Sequence, residues 1–303
     1  MRKILSTTNN CINVALDRFN IVSIFDNEVD VVIFNESIDT ELEDLAKSKG
    51  IKTFGGRRLD KLNQYFLLER LGINTPKVFY NVHTNKPIQT IDEFNAFVDV
   101  DTFVVKPPLG ARGIGVKVIT RKDWKDCIMD NKHTYSVFSD EFMKLNGDEI
   151  TPLPLKKEDI NNLRHKDESI SRDYIEYGFK NFIIQEEIKV KREFRIIYFR
   201  NNTFLSYERV KQEDQFCGNL SHGTDPKVLS ESEIDEIVKP NIGKFKTILK
   251  ETNYPWISID LYIDENDEFG IFEFQMEYAY EGFDYKLVKD TMSGCLSHLI
   301  EEK

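Results

Sequence analysis

The segment WISIDLYIDENDEFGIFEFQM, residues 256–276, does more than any other stretch to decide the fold. Two apolar runs, Trp256 to Ile263 and Phe269 to Met276, flank the acidic sequence Asp-Glu-Asn-Asp-Glu. Runs of this length on both sides of a short polar turn predict an antiparallel β-hairpin. Polar side chains interrupt both runs, and their positions indicate what the hairpin does.

Three oxygen-bearing side chains of the hairpin are predicted to lie on one face. Alternation places Glu273 and Gln275 together, and a turn centred on Asn266 and Asp267 places Asp260 directly opposite Glu273. Directly opposed carboxylates repel each other unless a cation lies between them. Because Mg²⁺ prefers carboxylate, phosphate and water oxygens, the pattern predicts a Mg²⁺ site, with Mn²⁺ as an alternative ion. The polar outer face of an amphipathic hairpin is the other interpretation.

A second pattern surrounds Lys106, which ends an apolar run and precedes Pro-Pro-Leu-Gly-Ala-Arg-Gly-Ile-Gly, residues 107–115. Glycines let backbone N–H groups turn toward an anion, and the lysine adds a positive charge. The sequence lacks the terminal Gly-Lys-Ser/Thr of a P-loop, and a strand rather than a helix follows it, unlike a Rossmann fingerprint. It therefore predicts either a phosphate-covering loop or an ordinary hairpin with a solvated lysine.

Charged residues also interrupt apolar strands in the C-terminal half. Residues 183–188, Ile-Ile-Gln-Glu-Glu-Ile, form an apolar strand that breaks into acidic residues. Glu193 and Arg195 share one face of the next predicted strand, where a surface ion pair is the ordinary alternative to a binding role. Arg209 precedes a polar loop that contains Asn219.

In their order along the chain, these patterns resemble the ATP-grasp superfamily of carboxylate–amine ligases over roughly residues 60–290. They are most similar to its branch of ribosomal-protein glutamate ligases and amino-acid ligases. The glycine-rich segment resembles the nucleotide-covering loop of that superfamily, and the hairpin resembles its Asp…Glu-x-Asn metal motif. Gln275 departs from that motif, since it keeps the amide oxygen on an arm one methylene longer.

The resemblance implies a role for each matching residue. The implied nucleotide contacts are Lys61, Lys106, Gly110, Gly113, Gly115, Gln185, Glu186, Glu187, Ile188 and Glu193. The implied catalytic residues are Arg209, Arg195 and Asn219, and the implied metal ligands are Asp260, Glu273 and Gln275.

The activity that the resemblance implies is formation of an amide bond with ATP and Mg²⁺ through an acyl-phosphate, with release of ADP and phosphate. The implied partners are a carboxylate and an amine, each a small molecule or a peptide. An ATP-binding module of the same fold without ligase activity is one alternative, and Gln275 favours it. A ligase for a peptide or protein acceptor, contacted by the charged segment 121–181, is another.

The predicted fold class is α/β, with α+β lobes in an ATP-grasp arrangement and a short Rossmann-like N-terminal lobe. The predicted lobes are residues 1–58, residues 59–181 with the glycine-rich loop, and residues 182–303 with the metal hairpin.

Composition narrows the class of protein. The formal net charge of −11 disfavours binding to nucleic acid or to an anionic membrane surface. Four scattered cysteines without a CxxC pair fit a reducing compartment, and no apolar run reaches the roughly 18 residues of a membrane span. We therefore expect a cytoplasmic protein, and the sequence leaves its oligomeric state open.

Overall fold

The computed structural model describes residues 3–6, 20–22, 28–36, 40–57, 59–88, 90–106, 117–122, 183–210, 225–276 and 283–302. Within these ranges the chain forms three β-sheets together with helices, which confirms the predicted mixed class. The chain divides into two compact units. The first unit comprises Met1–Leu59, Leu68–Asn74 and Val190–Lys303, and the second comprises Asp60–Leu67 and Thr75–Lys189.

The N-terminal part of the first unit is a parallel sheet with strand order β2-β1-β3-β4. Its strands are β1 (Lys3–Ser6), β2 (Asn20–Val22), β3 (Val29–Glu36) and β4 (Lys52–Arg57), with helix α1 (Thr40–Ser48) between the last two. Val31 and Val32 point to opposite faces of β3 and are both buried, so this strand is covered on both sides. A parallel sheet with a crossover helix agrees with the predicted Rossmann-like lobe.

Helices α1 and α2 each end at a glycine. Helix α1 ends before Gly50 and helix α2 (Lys61–Arg70) ends before Gly72, and both glycines have a positive φ, +68° and +65°. Beyond each glycine a backbone N–H reaches back into the helix, from Ile51 to the Ala46 carbonyl and from Ile73 to the Leu68 carbonyl, both at 2.9 Å. This left-handed cap satisfies carbonyls that the helix end would otherwise leave unpaired.

The sheet of the second unit is antiparallel, with strand order β6-β5-β9-β7-β8. Its strands are β5 (Val78–Asn81), β6 (Lys86–Pro87), β7 (Thr102–Lys106), β8 (Lys117–Thr120) and β9 (Ile183–Glu186), and helix α3 (Ile91–Phe97) lies between β6 and β7 in the chain. Leu62 and Tyr65 of α2 pack on Val78 and Ile183. The predicted lobe boundary at residue 182 assigned β9 to the C-terminal lobe, but this strand pairs with β5 and β7 because its apolar residues complete their sheet.

The C-terminal part of the first unit is an antiparallel sheet with strand order β12-β11-β10-β13-β14. Its strands are β10 (Val190–Phe199), β11 (Phe204–Val210), β12 (Asp225–Val228), β13 (Trp256–Asp264) and β14 (Phe269–Gln275). The helical segments are α4 (Glu231–Glu233), a π-helical turn (Ile234–Val238), a 3₁₀ turn (Lys239–Asn241), α5 (Ile242–Thr252) and α6 (Tyr285–Glu301). No helix among the described residues is long and apolar enough to cross a membrane.

The two sheets of the first unit are joined by contacts of β4. The Gly55 N–H donates to the Asn253 carbonyl at 2.8 Å, and the Asn253 side chain donates to the Thr53 carbonyl at 3.1 Å. The Arg200 guanidinium lies over the Phe54 ring, 4.9 Å from its centre. A Cβ at Gly55, where φ is +96°, would lie 1.8 Å from the Phe34 carbonyl oxygen, so this junction requires glycine.

Candidate active site on the C-terminal sheet

The hairpin of β13 and β14 has the predicted pairing where its polar side chains lie. Asp260 lies directly opposite Glu273, and Ser258 lies directly opposite Gln275. Directly opposed residues point to the same face of an antiparallel sheet. The three predicted metal ligands therefore share one face, with the Ser258 side chain beside them.

A β-bulge on β14 produces this pairing, and the turn is centred differently from the prediction. Near the turn Leu261 pairs with Ile271, which centres the turn on Asn266 alone, whereas the prediction centred it on two residues. Between this pair and the Asp260–Glu273 pair, Phe272 is an extra residue on β14. Without the bulge, Phe272 would lie opposite Asp260 and Glu273 would point to the other face.

Strands β10 and β11 add four side chains to the same face. Arg195 lies directly opposite Asp260 on one side and directly opposite Tyr207 on the other. Glu193 and Arg209, two residues away from Arg195 and Tyr207 respectively, point the same way. The structure thus brings together Glu193, Arg195, Arg209 and Asp260, which the sequence predicted as separate binding and catalytic residues.

The Asp260 carboxylate accepts hydrogen bonds from both arginines. Arg195 donates from Nε to Oδ1 at 2.5 Å and from Nη2 to Oδ2 at 3.0 Å. Arg209 donates from Nη2 to Oδ1 and from Nη1 to Oδ2, both at 3.1 Å. A carboxylate offers about four lone-pair positions, so these four N–H groups occupy all of them. Asp260 is therefore fully coordinated by guanidinium groups.

Arg209 also bridges to Glu193, and both are buried. Its Nη1 donates to Glu193 Oε1 at 2.5 Å, and Arg209, Glu193 and Asp260 are each 7% exposed. The Arg209 Nε is buried and has no hydrogen-bond partner within the described part of the chain. An unpaired buried donor on a charged group is costly, which marks this arginine as a residue held for more than packing.

Burial and the neighbouring charges act in opposite directions on these groups. Burial disfavours the charged form of Asp260, but Arg195 and Arg209 outweigh it, so the pKa of Asp260 is lowered. Burial likewise opposes the charge of Arg209, and Asp260 and Glu193 outweigh it, so that pKa is raised. Burial raises the pKa of the Tyr207 hydroxyl. Asp260 and Arg209 therefore both keep their charges across the physiological pH range.

Tyr207 and Ser258 were not among the site residues predicted from the sequence. Tyr207 is 2% exposed, lies opposite Arg195 and stacks edge-on against Phe283 at 4.9 Å between ring centres. Ser258 is 2% exposed, and its Oγ has no hydrogen-bond partner within the ranges described. Each lies two residues before a predicted site residue, so the alternation of the strand was the signal that could have found them.

A second charged cluster lies on the opposite face of the same sheet, and the sequence did not predict it. Arg192 binds Glu208 through Nε and Nη2 at 2.7 and 2.8 Å, and it also binds Glu233 at 2.7 Å. Lys227 contacts the same two carboxylates. The Arg192 hydrogen bonds lower the pKa of Glu208. We call these four residues the outer cluster, and Glu193, Arg195, Arg209 and Asp260 the inner cluster.

In the second unit, the predicted nucleotide residues occupy strand and helix ends. Lys106 ends β7 and is 7% exposed, and Lys61 is the first residue of α2. Gln185 is buried and donates to the Pro76 carbonyl at 3.3 Å, while Glu186 accepts from the Lys77 N–H at 2.6 Å.

Regular structure ends directly after Glu186. Residues 187–189, which include Glu187 and Ile188, lie between strands, so their backbone groups belong to no sheet ladder. Gly110, Gly113, Gly115 and Asn219 lie outside the described residues, as do residues 123–182.

The side chains of the hairpin are suitable ligands for a divalent cation, but the arginines bound to Asp260 stand in the way of its binding. Two carboxylates and an amide on one face are the oxygen ligands that Mg²⁺ prefers. However, the arginines occupy Asp260, and the described residues contain no group of three or more His, Cys, Asp or Glu side chains arranged to hold a metal. Binding of a cation to Asp260 therefore requires a guanidinium to withdraw, and the metal site stays a prediction.

Comparison with known proteins shows the fold. No protein-family model matches the chain, and no curated protein matches its sequence. Among solved structures, D-alanyl-alanine synthetase A from Vibrio cholerae is 11% identical, with a TM-score of 0.54 over 99% of this chain and 98% of that one. A D-alanine–D-alanine ligase from Bacillus anthracis in complex with ATP is 14% identical, with a TM-score of 0.51 over 100% of both chains.

A biotin carboxylase from Campylobacter jejuni is also similar, at 11% identity and a TM-score of 0.52, over 99% of this chain and 70% of that one. These three structures belong to the ATP-grasp superfamily, and the chain described above has its fold. The predicted fold is thereby confirmed. Identities this low concern the fold alone, and similarity to the ribosomal-protein glutamate ligase branch stays a prediction.

Proposed function

We propose that this chain is an ATP-dependent ligase that joins a carboxylate to an amine through an acyl-phosphate. The observation that carries the proposal is the inner cluster, in which two arginines converge on Asp260 beside Glu273. Guanidinium groups match phosphate and carboxylate oxygens in pairs, and buried arginines stabilise a transferring phosphoryl group strongly. The ATP-grasp fold supports the same function by analogy.

The reaction has two balanced steps. A substrate carboxylate oxygen attacks the γ-phosphorus of ATP, the bond to the bridging oxygen breaks, and ADP leaves. The amine nitrogen then attacks the acyl carbon, phosphate leaves with the C–O bond electrons, and the nitrogen loses a proton. The chain contributes positioning and charge rather than a covalent nucleophile. Arg195, Arg209 and Asn219 are proposed to bind the transferring phosphoryl group and the acyl-phosphate.

The nucleotide contacts belong to the same proposal. Lys61, Lys106 and the glycines of residues 107–115 bind phosphates, and Glu193 binds the ribose. The backbone of residues 185–188 binds adenine, which is supported by the break in regular structure after Glu186. A divalent cation, when bound, neutralises phosphate charge, and Asp260, Glu273 and Gln275 are the residues that would hold it.

Hydroxylamine provides a test that does not need the natural amine. The protein is incubated with ATP, Mg²⁺ and hydroxylamine, together with amino acids or peptides as carboxylate donors. We expect a donor-dependent increase in ADP and a matching amount of hydroxamate, because hydroxylamine traps an acyl-phosphate. Arg209→Gln should abolish both products. Arg192→Gln, which alters only the outer cluster, is the matched control. Donor-stimulated ADP release without hydroxamate would contradict the acyl-phosphate.

A nucleotide-binding protein without ligase activity is the second candidate. Two observations favour it: Gln275 replaces the asparagine of the metal motif, and guanidinium groups occupy all lone-pair positions of Asp260. This candidate predicts ATP binding by calorimetry with no donor-stimulated ADP release over a broad panel. Inclusion of peptides and proteins in that panel also tests the version of the ligase that modifies a macromolecular acceptor.

A further inference from the structure

The four hydrogen bonds on Asp260 have a consequence for metal binding. A cation that coordinates a carboxylate oxygen needs one of its lone pairs, and each Asp260 oxygen already accepts two N–H groups. A guanidinium and a divalent cation also repel each other at coordination distance. Binding of a cation at this carboxylate must therefore displace at least one arginine.

The contacts of the two arginines show which one is displaced. Arg209 is held by Glu193 at 2.5 Å as well as by Asp260, so it keeps a buried anionic partner when Asp260 is lost. Arg195 makes both of its hydrogen bonds within the described residues to Asp260. Its side chain is also the more exposed of the two, at 12% against 6%. Release of Arg195 is therefore the less costly change.

We propose that Arg195 is an internal competitor of the divalent cation for Asp260, and that metal binding releases its guanidinium for an anionic ligand. This inference rests on the proposed function, because it assigns the metal to the same carboxylate. Without a bound cation, Arg195 takes its place and keeps the buried carboxylate neutralised. When the cation binds, the same side chain becomes available to phosphate or acyl-phosphate oxygens.

The charges of the site favour release of Arg195 by the cation only when an anion binds as well. The inner cluster and Glu273 together contribute three carboxylates and two guanidiniums, a formal excess of one negative charge among these five side chains. A divalent cation converts this into an excess of one positive charge. Since an uncompensated buried charge is unfavourable, the cation and a phosphate group should bind cooperatively. The competitor thus weakens metal binding in the absence of nucleotide.

Direct metal binding tests the proposal without any catalytic readout. Mn²⁺ is titrated into the nucleotide-free protein, and free Mn²⁺ is followed by electron paramagnetic resonance. Arg195→Gln should bind Mn²⁺ tighter than the wild type by roughly tenfold or more, because a bidentate, charge-assisted competitor is removed. Arg195→Lys, which keeps the charge and loses the fork, should show a smaller gain.

Two controls locate the effect. Arg192→Gln removes an equally bidentate arginine from the opposite face of the sheet and should leave Mn²⁺ affinity unchanged. The double variant Arg195→Gln, Asp260→Asn should lose the gain, since the metal then lacks its carboxylate. A folded Arg195→Gln protein with unchanged or weaker Mn²⁺ affinity overturns the proposal, because a structural role for Arg195 predicts only a loss.

The proposed function and this inference fail in different ways. A wild-type protein that binds no ATP in the presence of Mg²⁺ contradicts the proposed function, whatever Mn²⁺ does alone. Normal ATP binding combined with equal Mn²⁺ affinity in the wild type and Arg195→Gln contradicts only the competition. If Arg195→Gln does not fold, Arg195→Lys decides the question, and the absence of any gain in that variant also overturns the proposal.

Discussion

The inner and outer clusters lie on opposite faces of one sheet and use the same chemistry in different surroundings. In each, an arginine binds a carboxylate through Nε and Nη2: Arg195 binds Asp260, and Arg192 binds Glu208. The inner side chains are at most 12% exposed. In the outer cluster Glu208 is also 12% exposed, but Glu233 is 20%, Arg192 28% and Lys227 52% exposed. Each outer pair therefore has at least one partner that solvent screens, whereas the inner charges are stabilised mainly by the protein itself.

This difference distinguishes charges that only stabilise the fold from charges that can also bind a ligand. A partly exposed cluster joins β10, β11 and α4 at little cost, because water can reach the arginine and lysine that remain when a carboxylate is lost. A buried cluster is stabilising only while it is complete, since each charge depends on its partners. Such an arrangement is retained where a ligand can substitute for one partner, which is the role proposed for Asp260 and Arg195.

The largest expected effect is loss of the inner carboxylate. Asp260→Asn removes the carboxylate that Arg195 and Arg209 share and leaves Arg209 hydrogen-bonded to Glu193, and it should lower the free energy of unfolding by about 3–5 kcal/mol. Glu208→Gln, the corresponding change in the outer cluster, should cost about 1 kcal/mol. Urea denaturation followed by circular dichroism measures both. Equal losses would show that burial does not distinguish the clusters.

Replacement of the Arg209 guanidinium, which forms several hydrogen bonds at once, by an ammonium group should have the next largest effect. Arg209→Lys keeps the positive charge, but one ammonium group cannot hold Glu193 and both oxygens of Asp260, so we expect a loss of about 2–3 kcal/mol. Arg192→Lys should cost less than about 1 kcal/mol, because water replaces the lost bonds. The same urea experiment compares them, and a smaller loss for Arg209→Lys than for Arg192→Lys would contradict the assignment.

Acid should weaken the outer cluster through Glu233. Hydrogen bonds from the Ser230 backbone and from Lys227 lower the pKa of Glu233 from 4.5 to about 2. Its carboxylate therefore stabilises the fold above pH 4.5, and this contribution is lost as the pH falls from 4.5 toward 2. Glu233→Gln should destabilise by at most about 1 kcal/mol at pH 7 and by progressively less toward pH 2. A difference that stays constant with pH would disprove the linkage.

The smallest effect is expected at the most exposed member. Lys227→Ala removes contacts to Glu208 and Glu233 from a side chain that is 52% exposed, and should change stability less than any of the substitutions above. High salt should reduce even this difference, which thermal unfolding at two salt concentrations can detect. A loss of stability as large as that of Arg209→Lys would mean that the outer cluster is energetically like the inner one.

Local patterns in the sequence predicted much of this sheet. The apolar runs predicted β10, β13 and β14, and alternation placed Glu273 and Gln275 on one face. The pairing of Asp260 with Glu273 was predicted correctly from a turn centre that was wrong, because the bulge at Phe272 compensates for the shorter register at the turn. A bulge depends on packing between two strands, and the residue pattern of one strand does not reveal it.

The partners of the charged residues could not be predicted in the same way. Glu193 and Arg195 were considered as an ion pair with each other, since they are neighbours on one face. In the structure, Glu193 binds Arg209 of β11 and Arg195 binds Asp260 of β13. Spacing within a strand fixes the face of a side chain, but its ionic partner comes from a neighbouring strand.

The sequence by itself determined that β10, β13 and β14 are strands, which polar side chains interrupt them and which of these share a face, because these follow from a period of two residues. The tertiary structure alone decided that β10 lies between β11 and β13. That order brings Arg209 to Asp260 across 51 residues of chain and saturates the carboxylate with guanidinium groups. Strand order depends on long-range pairing and burial, so only the folded chain shows that the predicted metal ligand is held by two arginines.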